Sequence, residues 1–251
     1  MKGVKKTLLL AAVLIFTCGR VVAAQTADDV IEKYLAAIGG RAALEKITSR
    51  STTGTITVSL PPGPVSGTIE ILNQQPNKVR SVMKLDLTSL GAGQLIREQR
   101  FDGTTGYVLD SMQGNREITG NQLDNLKNAV FPTPLLTYKE RGATAELAGK
   151  EKVNGRDAYV VVVKPKTGPL VRHFFDAETY LPARIVVKLD VPEAGGELEQ
   201  TSDLSDYRVV DGIKIPFAVR VSSAVQSFTI DVTKVEHNVK IDAASFSKPD
   251  K

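Results

Sequence analysis

Two hydrophobic periods succeed one another along this chain. Residues 26–47, TADDVIEKYLAAIGGRAALEKI, place Val30, Ile31, Tyr34, Leu35 and Ile38 at the spacing of one helix face. Thr26 or Asp28 can cap its start, and Gly39-Gly40 stops it. Residues 42–47 predict a second short helix, whose Leu44 and Ile47 continue the same apolar surface. A surface of this kind covers a sheet.

From Thr53 the period becomes two. Ile56, Val58 and Leu60 alternate with Thr55, Thr57 and Ser59, and the PPGP run then forces a turn into a strand over 67–72. Further strands are predicted over 76–86, 94–101 and 107–110, the last two separated by the Asp102-Gly103 turn. The final hundred residues hold four strand-like runs, VNGRDAYVVVV, VRHFFDAETYLPARIVVKL, DYRVVDGIKIPFAVRV and SFTIDVTKVEHNV. Asn154-Gly155 and Asp211-Gly212 suit tight hairpin turns, and Asp176 to Thr179 forms a polar turn between apolar runs. Residues 159–163 are apolar on both faces, as in a strand covered on both sides. Residues 183–190 and 228–233 alternate instead, leaving one face wet.

One segment breaks the β pattern. Residues 118–141, ITGNQLDNLKNAVFPTPLLTYKER, read as a helix over 121–130 followed by an apolar loop punctuated by Pro132 and Pro134. Phe131, Leu135, Leu136 and Tyr138 are too apolar for an exposed loop and must pack against something. With Leu126 and Val130 they form either a lid over a ligand cavity or a permanent plug of the core. About ten antiparallel strands with helices at the start and middle give an α+β fold. The expected form is a strongly curved antiparallel sheet, an open half-barrel with helices covering the concave face.

The first residues, MKGVKK, are basic and an apolar run over 8–16 comes next, too short to span a bilayer. Val22-Ala23-Ala24 supplies the small residues of a cleavage site, so residues 1–24 read as a signal peptide and 25–251 as one domain. Cys18 leaves open a lipid-anchored alternative. Cleavage after Ala24 removes that only cysteine, and with it any disulfide or thiol chemistry. The formal charge of +4 comes from Lys2, Lys5, Lys6 and Arg20, all in the leader; the remainder of the chain is balanced, its basic residues matching its 28 acidic ones. Nucleic acid is therefore not an expected partner.

These pieces resemble the LolA/LolB-like periplasmic lipoprotein carriers and the wider superfamily of outer-membrane lipoprotein-sorting proteins. The resemblance rests on GTIEILNQQPNKVR, on the aromatic-Asp-Gly turn of FDGTTGYVLD, on the interrupted helical segment and on the hairpin HFFDAETYLPARI. LSDYRVVDGIKIPFAVRV and HNVKIDAASFSKP are similar to its longer members. The resemblance implies an exported periplasmic protein whose open barrel and lid hold an acyl chain, a lipoprotein or another hydrophobic ligand. The carriers' interiors are rich in large aromatics, whereas this chain has no tryptophan and 6% aromatics.

Catalytic and metal chemistry has few candidates here. His173 and His237 are the only histidines; His173 reads as a solvated strand end and His237 as a strand-end residue. Asp176 and Glu178 do not converge with His173 on a metal, because strand alternation and the turn scatter them. Asp190, Glu193, Glu197 and Glu199 lack the spacing of a calcium loop. Motifs for phosphate loops, dinucleotide folds, zinc proteases and nucleophile elbows do not occur. The expected function is binding with no cofactor and no metal. A structural or protein-interaction module of the cell envelope is the alternative, and a hydrolase comes third.

Overall fold

A computed structural model describes residues 25–191 and 196–248. Residues 1–24, with Cys18 and the expected cleavage site, and Glu193 of the acidic loop lie outside the described residues. Helix α1 spans Ala27–Ala37. Thr26 is its cap: Thr26 Oγ1 accepts from the Asp29 amide at 3.2 Å, and the Asp29 carboxylate accepts from the Thr26 amide at 2.8 Å, a reciprocal capping box. Val30, Ile31, Tyr34 and Leu35 turn inward as their spacing requires. Helix α2, Arg41–Leu44, buries Leu44.

Six strands come next in a meander: β1 Ser49–Leu60, β2 Gly63–Gln74, β3 Lys78–Asp86, β4 Gln94–Phe101, β5 Gly106–Asp110 and β6 Arg116–Ile118. Helix α3, Gly120–Asn128, leaves the sheet. Seven more strands make a second meander: β7 Thr144–Val153, β8 Arg156–Lys164, β9 Val171–Asp176, β10 Pro182–Val191, β11 Gly196–Val210, β12 Ile213–Ser222 and β13 Ser227–His237. Antiparallel pairing of β1 with β13 joins the two meanders, giving the order β6-β5-β4-β3-β2-β1-β13-β12-β11-β10-β9-β8-β7. Among the described residues the sheet has thirteen strands rather than about ten. Two of the four C-terminal runs are divided by a turn and supply two strands each, β9–β10 and β11–β12, while β6 and most of β7 fall outside the predicted runs.

The sheet is open but strongly curled. Strands β5 and β10 stand eight places apart, about 38 Å in a flat sheet at ~4.8 Å per strand. Helix α3, about 13 Å long by its rise, nonetheless reaches both. Its Leu126 lies against Gly106 of β5, while the helix packs on β10. Asn128 Nδ2 at its end donates to Thr167 O at 2.7 Å, in the β8–β9 turn. Only a sheet curled around the helices brings these parts together. The face they cover is the inner one.

By register, the inner face carries Ile56 and Val58 of β1, Ile230 and Phe228 of β13, and Ile213, Ile215 and Phe217 of β12. The main core lies where α1, α2 and the 131–138 segment sit on this face, against Val161, Phe175, Ile215 and Phe217. Strand β8 is buried on both sides, as its double apolar pattern predicts: Val161 and Val163 face the main core, and Ala158 and Val160 pack outside with Phe174 and Val186. Gly39 lets α1 settle on the β11–β12 turn, since a Cβ there would lie 2.7 Å from Gly212 O. The Lys214 amide donates to Ile38 O at 2.9 Å and pins that contact.

Candidate ligand cleft

The predicted helix over 121–130 is found over Gly120–Asn128, so Val130 falls beyond its end. Phe131 precedes proline and is biased away from helical geometry, which ends the helix early. Val130, Phe131, Leu135, Leu136 and Tyr138 are buried, and Leu126 is half-buried. Phe131, Leu135, Leu136 and Tyr138 belong to the main core, whereas Leu126 sits at the opposite end of the segment beside Gly106 and Ile118. The sequence pattern groups six side chains, and the structure places four of them in the main core and Leu126 apart from these.

Polar contacts hold the segment to the first helices. Tyr34 Oη donates to Thr133 Oγ1 at 3.0 Å, and Arg41 Nη1 donates to Leu136 O at 2.9 Å. Tyr138 Oη and Lys139 Nζ both donate to the Asp28 carboxylate, which holds Asp28 below the usual carboxylate range. At the other side the Phe131 amide donates to Pro76 O at 2.8 Å.

Beneath this layer lies a cleft of about 310 Å³. Its roof is Tyr34 and Ile38 of α1, Leu44 and Ile47 around α2, and Pro132, Thr133 and Pro134 of the crossing segment. Its floor is the inner face of the sheet, with Arg50, Ile185, Leu204, Tyr207, Ile213, Ile215 and His237. Tyr207 Oη donates to Pro182 O at 2.7 Å, so its polar end is satisfied and its ring is left to the cleft. The volume falls at the small end of ligand pockets, about 300 to 1,000 Å³, and the mostly apolar lining with few polar groups matches their usual makeup.

Arg50 is the lining residue that the sequence pattern left unmarked. It is the second residue of β1, directly opposite His237 of β13. Its position is in phase with Ile56, Val58 and Leu60, and a basic residue in step with inward apolar positions is the signal that could have found it. The guanidinium carbon lies 5.1 Å from the centre of the Phe131 ring. Nε is sealed and has no hydrogen-bond partner. Burial pushes the Arg50 pKa down to about 10, leaving it charged at neutral pH.

His237 is the last residue of its strand, as expected, but its side chain is 3% exposed, with Nδ1 at 3.1 Å from Asp211 Oδ2. His173 corrects the expectation of a solvated strand end. It is 9% exposed and stacks on Phe175 at 5.8 Å between ring centres, because its position alternates onto the inner face with Phe175. Burial lowers its pKa to about 4. Asp176 and Glu178 are both paired with Arg156, at 2.6 and 2.8 Å. Asp176 Oδ1 also accepts from the Glu178 and Thr179 amides at 3.1 and 2.9 Å, so this carboxylate builds the turn that the sequence predicts.

No helix among the described residues is long and apolar enough to cross a membrane. Neither a family model nor a curated protein sequence matches the chain. Solved structures do. A LolA superfamily protein from Nitrosomonas europaea superposes with a TM-score of 0.57 at 13% identity, covering 90% of this chain and 99% of that one. A DUF1329 family protein from Desulfovibrio piger gives 0.56 at 13% identity, over 88% and 97% of the two chains. A putative outer membrane lipoprotein-sorting protein domain from Vibrio parahaemolyticus gives 0.53 at 9%, over 87% and 94%. The fold is thus that of the LolA-like superfamily, the one whose resemblance is carried by the sequence.

Proposed function

We propose that this protein is an exported, non-catalytic binding protein that shelters a hydrophobic ligand, such as an acyl chain or the lipid part of a lipoprotein, in the cleft on the inner face of its sheet. The observation that carries this reading is the cleft itself, an apolar space of about 310 Å³ roofed by α1, α2 and residues 132–134. In this reading residues 1–24 direct export to the periplasm, and residues 25–251 act as one half-barrel domain. The chain segment around Val130, Phe131, Leu135, Leu136 and Tyr138 is the movable wall, with Leu126 at its far end. A long chain needs more room than the closed cleft offers, so that wall must shift on binding. Apolar burial at about 25 cal/mol per Å² drives the association.

Delipidated protein titrated with a fluorescent fatty acid should bind it saturably, and unlabelled fatty acid should displace it. Absence of saturable binding to any apolar probe overturns the reading. The second reading, an envelope interaction module with a filled core, draws on the burial of Phe131, Leu135, Leu136 and Tyr138 in one cluster with α1. A stable protein partner recovered from envelope extract, with no lipid bound, favours it.

A further inference from the structure

The cleft is apolar in most of its lining but not neutral. Its charged members are Arg50 on the floor and Lys214 at the rim, and the lining includes no aspartate or glutamate. No hydrogen bond or ion pair to the Arg50 guanidinium occurs among the described residues. The Asp211 carboxylate is bonded to His237 Nδ1, and the group that counters the effect of burial on Arg50 is the Tyr34 phenol, not a carboxylate. A cation without a partner in a partly desolvated place is costly, and an anion that pairs with it relieves that cost. Phe131 takes one face of the guanidinium, which leaves its donor edge to the cleft. That planar edge matches two oxygens of a carboxylate or phosphate.

The geometry points to an amphiphile with an anionic head as the ligand: a carboxylate or phosphate monoester held by Arg50, with its apolar chain along Ile38, Leu44, Ile47, Ile185 and Leu204. This rests on the proposed binding function and sharpens it to a ligand class. It also orients the ligand. The head lies at the β1–β13 seam beneath Phe131, and the chain runs between the first helices and β10–β11. Lys214 at the rim attracts the anion on entry without being buried with it.

The test titrates the delipidated full chain with laurate, dodecyl phosphate, dodecanol, dodecyltrimethylammonium and inorganic phosphate. Laurate or dodecyl phosphate should bind at least about tenfold more tightly than dodecanol, as a charge-assisted pair provides. The stronger of the two identifies the head group. Arg50→Met keeps the apolar volume and should remove this preference, so that within the variant the anions bind no more tightly than dodecanol. Arg50→Lys keeps the charge but loses the fork, and should fall between the two.

Equal binding of dodecanol and the anions, or an Arg50→Met protein that still prefers anions, overturns the head-group assignment and leaves the binding function standing. Inorganic phosphate binding as tightly as dodecyl phosphate shows a plain anion site and also overturns the amphiphile. If no amphiphile binds, both readings fall together.

Discussion

Tyr34 and Thr133 tie the first helix to the segment that crosses the sheet: Tyr34 Oη donates to Thr133 Oγ1 over 3.0 Å, with both residues buried. Burial raises the Tyr34 pKa, so the phenol remains a donor throughout the working range. Thr133→Val leaves that hydroxyl buried without an acceptor and should cost about 1 to 3 kcal/mol. Tyr34→Phe should cost less, since a threonine hydroxyl is the smaller group to strand. The double variant should be less destabilised than the sum of the singles, as measured by urea midpoints in a mutant cycle. If the cycle is additive, the bond does not hold the roof. In the proposed binding reading, where the crossing segment moves on binding, Thr133→Val should also speed ligand dissociation.

His173 gives a pH signature. Its ring is buried, with a folded-state pKa of about 4 against 6.5 when unfolded. The unfolded chain therefore takes the proton first on acidification. Stability from this residue is complete above pH 6.5, falls as pH drops through the interval, and levels off below about 4, for a total of about 3 kcal/mol. His173→Leu keeps the packing and removes the titration. The stability difference between the two proteins should shift by that amount between about pH 7.5 and pH 4 in urea unfolding. A constant difference shows that the imidazole is not held neutral by burial.

Arg50 and His237 face each other across the seam of the two meanders, and the charge of Arg50 is one of the causes that lower the His237 pKa, after burial itself. Asp211 acts in the opposite direction through its bond to Nδ1. Arg50→Met removes a positive charge beside the ring, so the His237 pKa should rise. An NMR titration of the ring protons reads this directly. Since replacing a half-buried cation that has no partner by an apolar side chain is often neutral or stabilising, the variant should unfold no earlier than the natural protein. A His237 titration unmoved by the substitution places the guanidinium outside the cleft.

The parts of the fold that local chemistry determines were legible from the sequence. Thr26, one of the two candidates, caps α1, Asp176 builds its turn, and the alternation around Ile56 and Ile230 marks the inner face. The pairing of β1 with β13 was not legible, because no local pattern says that Arg50 will lie opposite a residue almost at the other end of the chain. The cleft depends on that pairing. Its floor combines Arg50 and His237 from the seam with Ile185 and Leu204 from the second meander, and its roof comes from three further segments. The apolar residues of the crossing segment were recognisable as buried. Their division into a core group and the distant Leu126 comes from the curl of the sheet, which the sequence pattern does not specify.

Backbones approach closely one strand away from the seam. Gly67 of β2 stands between Ile56 of β1 and Leu85 of β3. A Cβ at Gly67 would lie 1.9 Å from Lys84 O and 3.0 Å from the Leu85 Cα. Both are backbone atoms of the paired strand, so no side-chain rotation relieves the clash. Gly67→Ala must therefore spread β2 from β3, and should cost about 3 kcal/mol or more. Gly63, at the start of the same strand, has no atom within 4 Å of its Cβ position, and Gly63→Ala should change stability by less than about 0.5 kcal/mol. The pair separates contact from composition, since both substitutions add one methyl to one strand. Thermal unfolding of the two variants checks it, and equal midpoints would show that the strands at Gly67 are not so closely apposed. If the close approach at Gly67 also shapes the cleft, the Gly67→Ala protein should bind an apolar probe more weakly even at temperatures where it remains folded, while Gly63→Ala binds it unchanged.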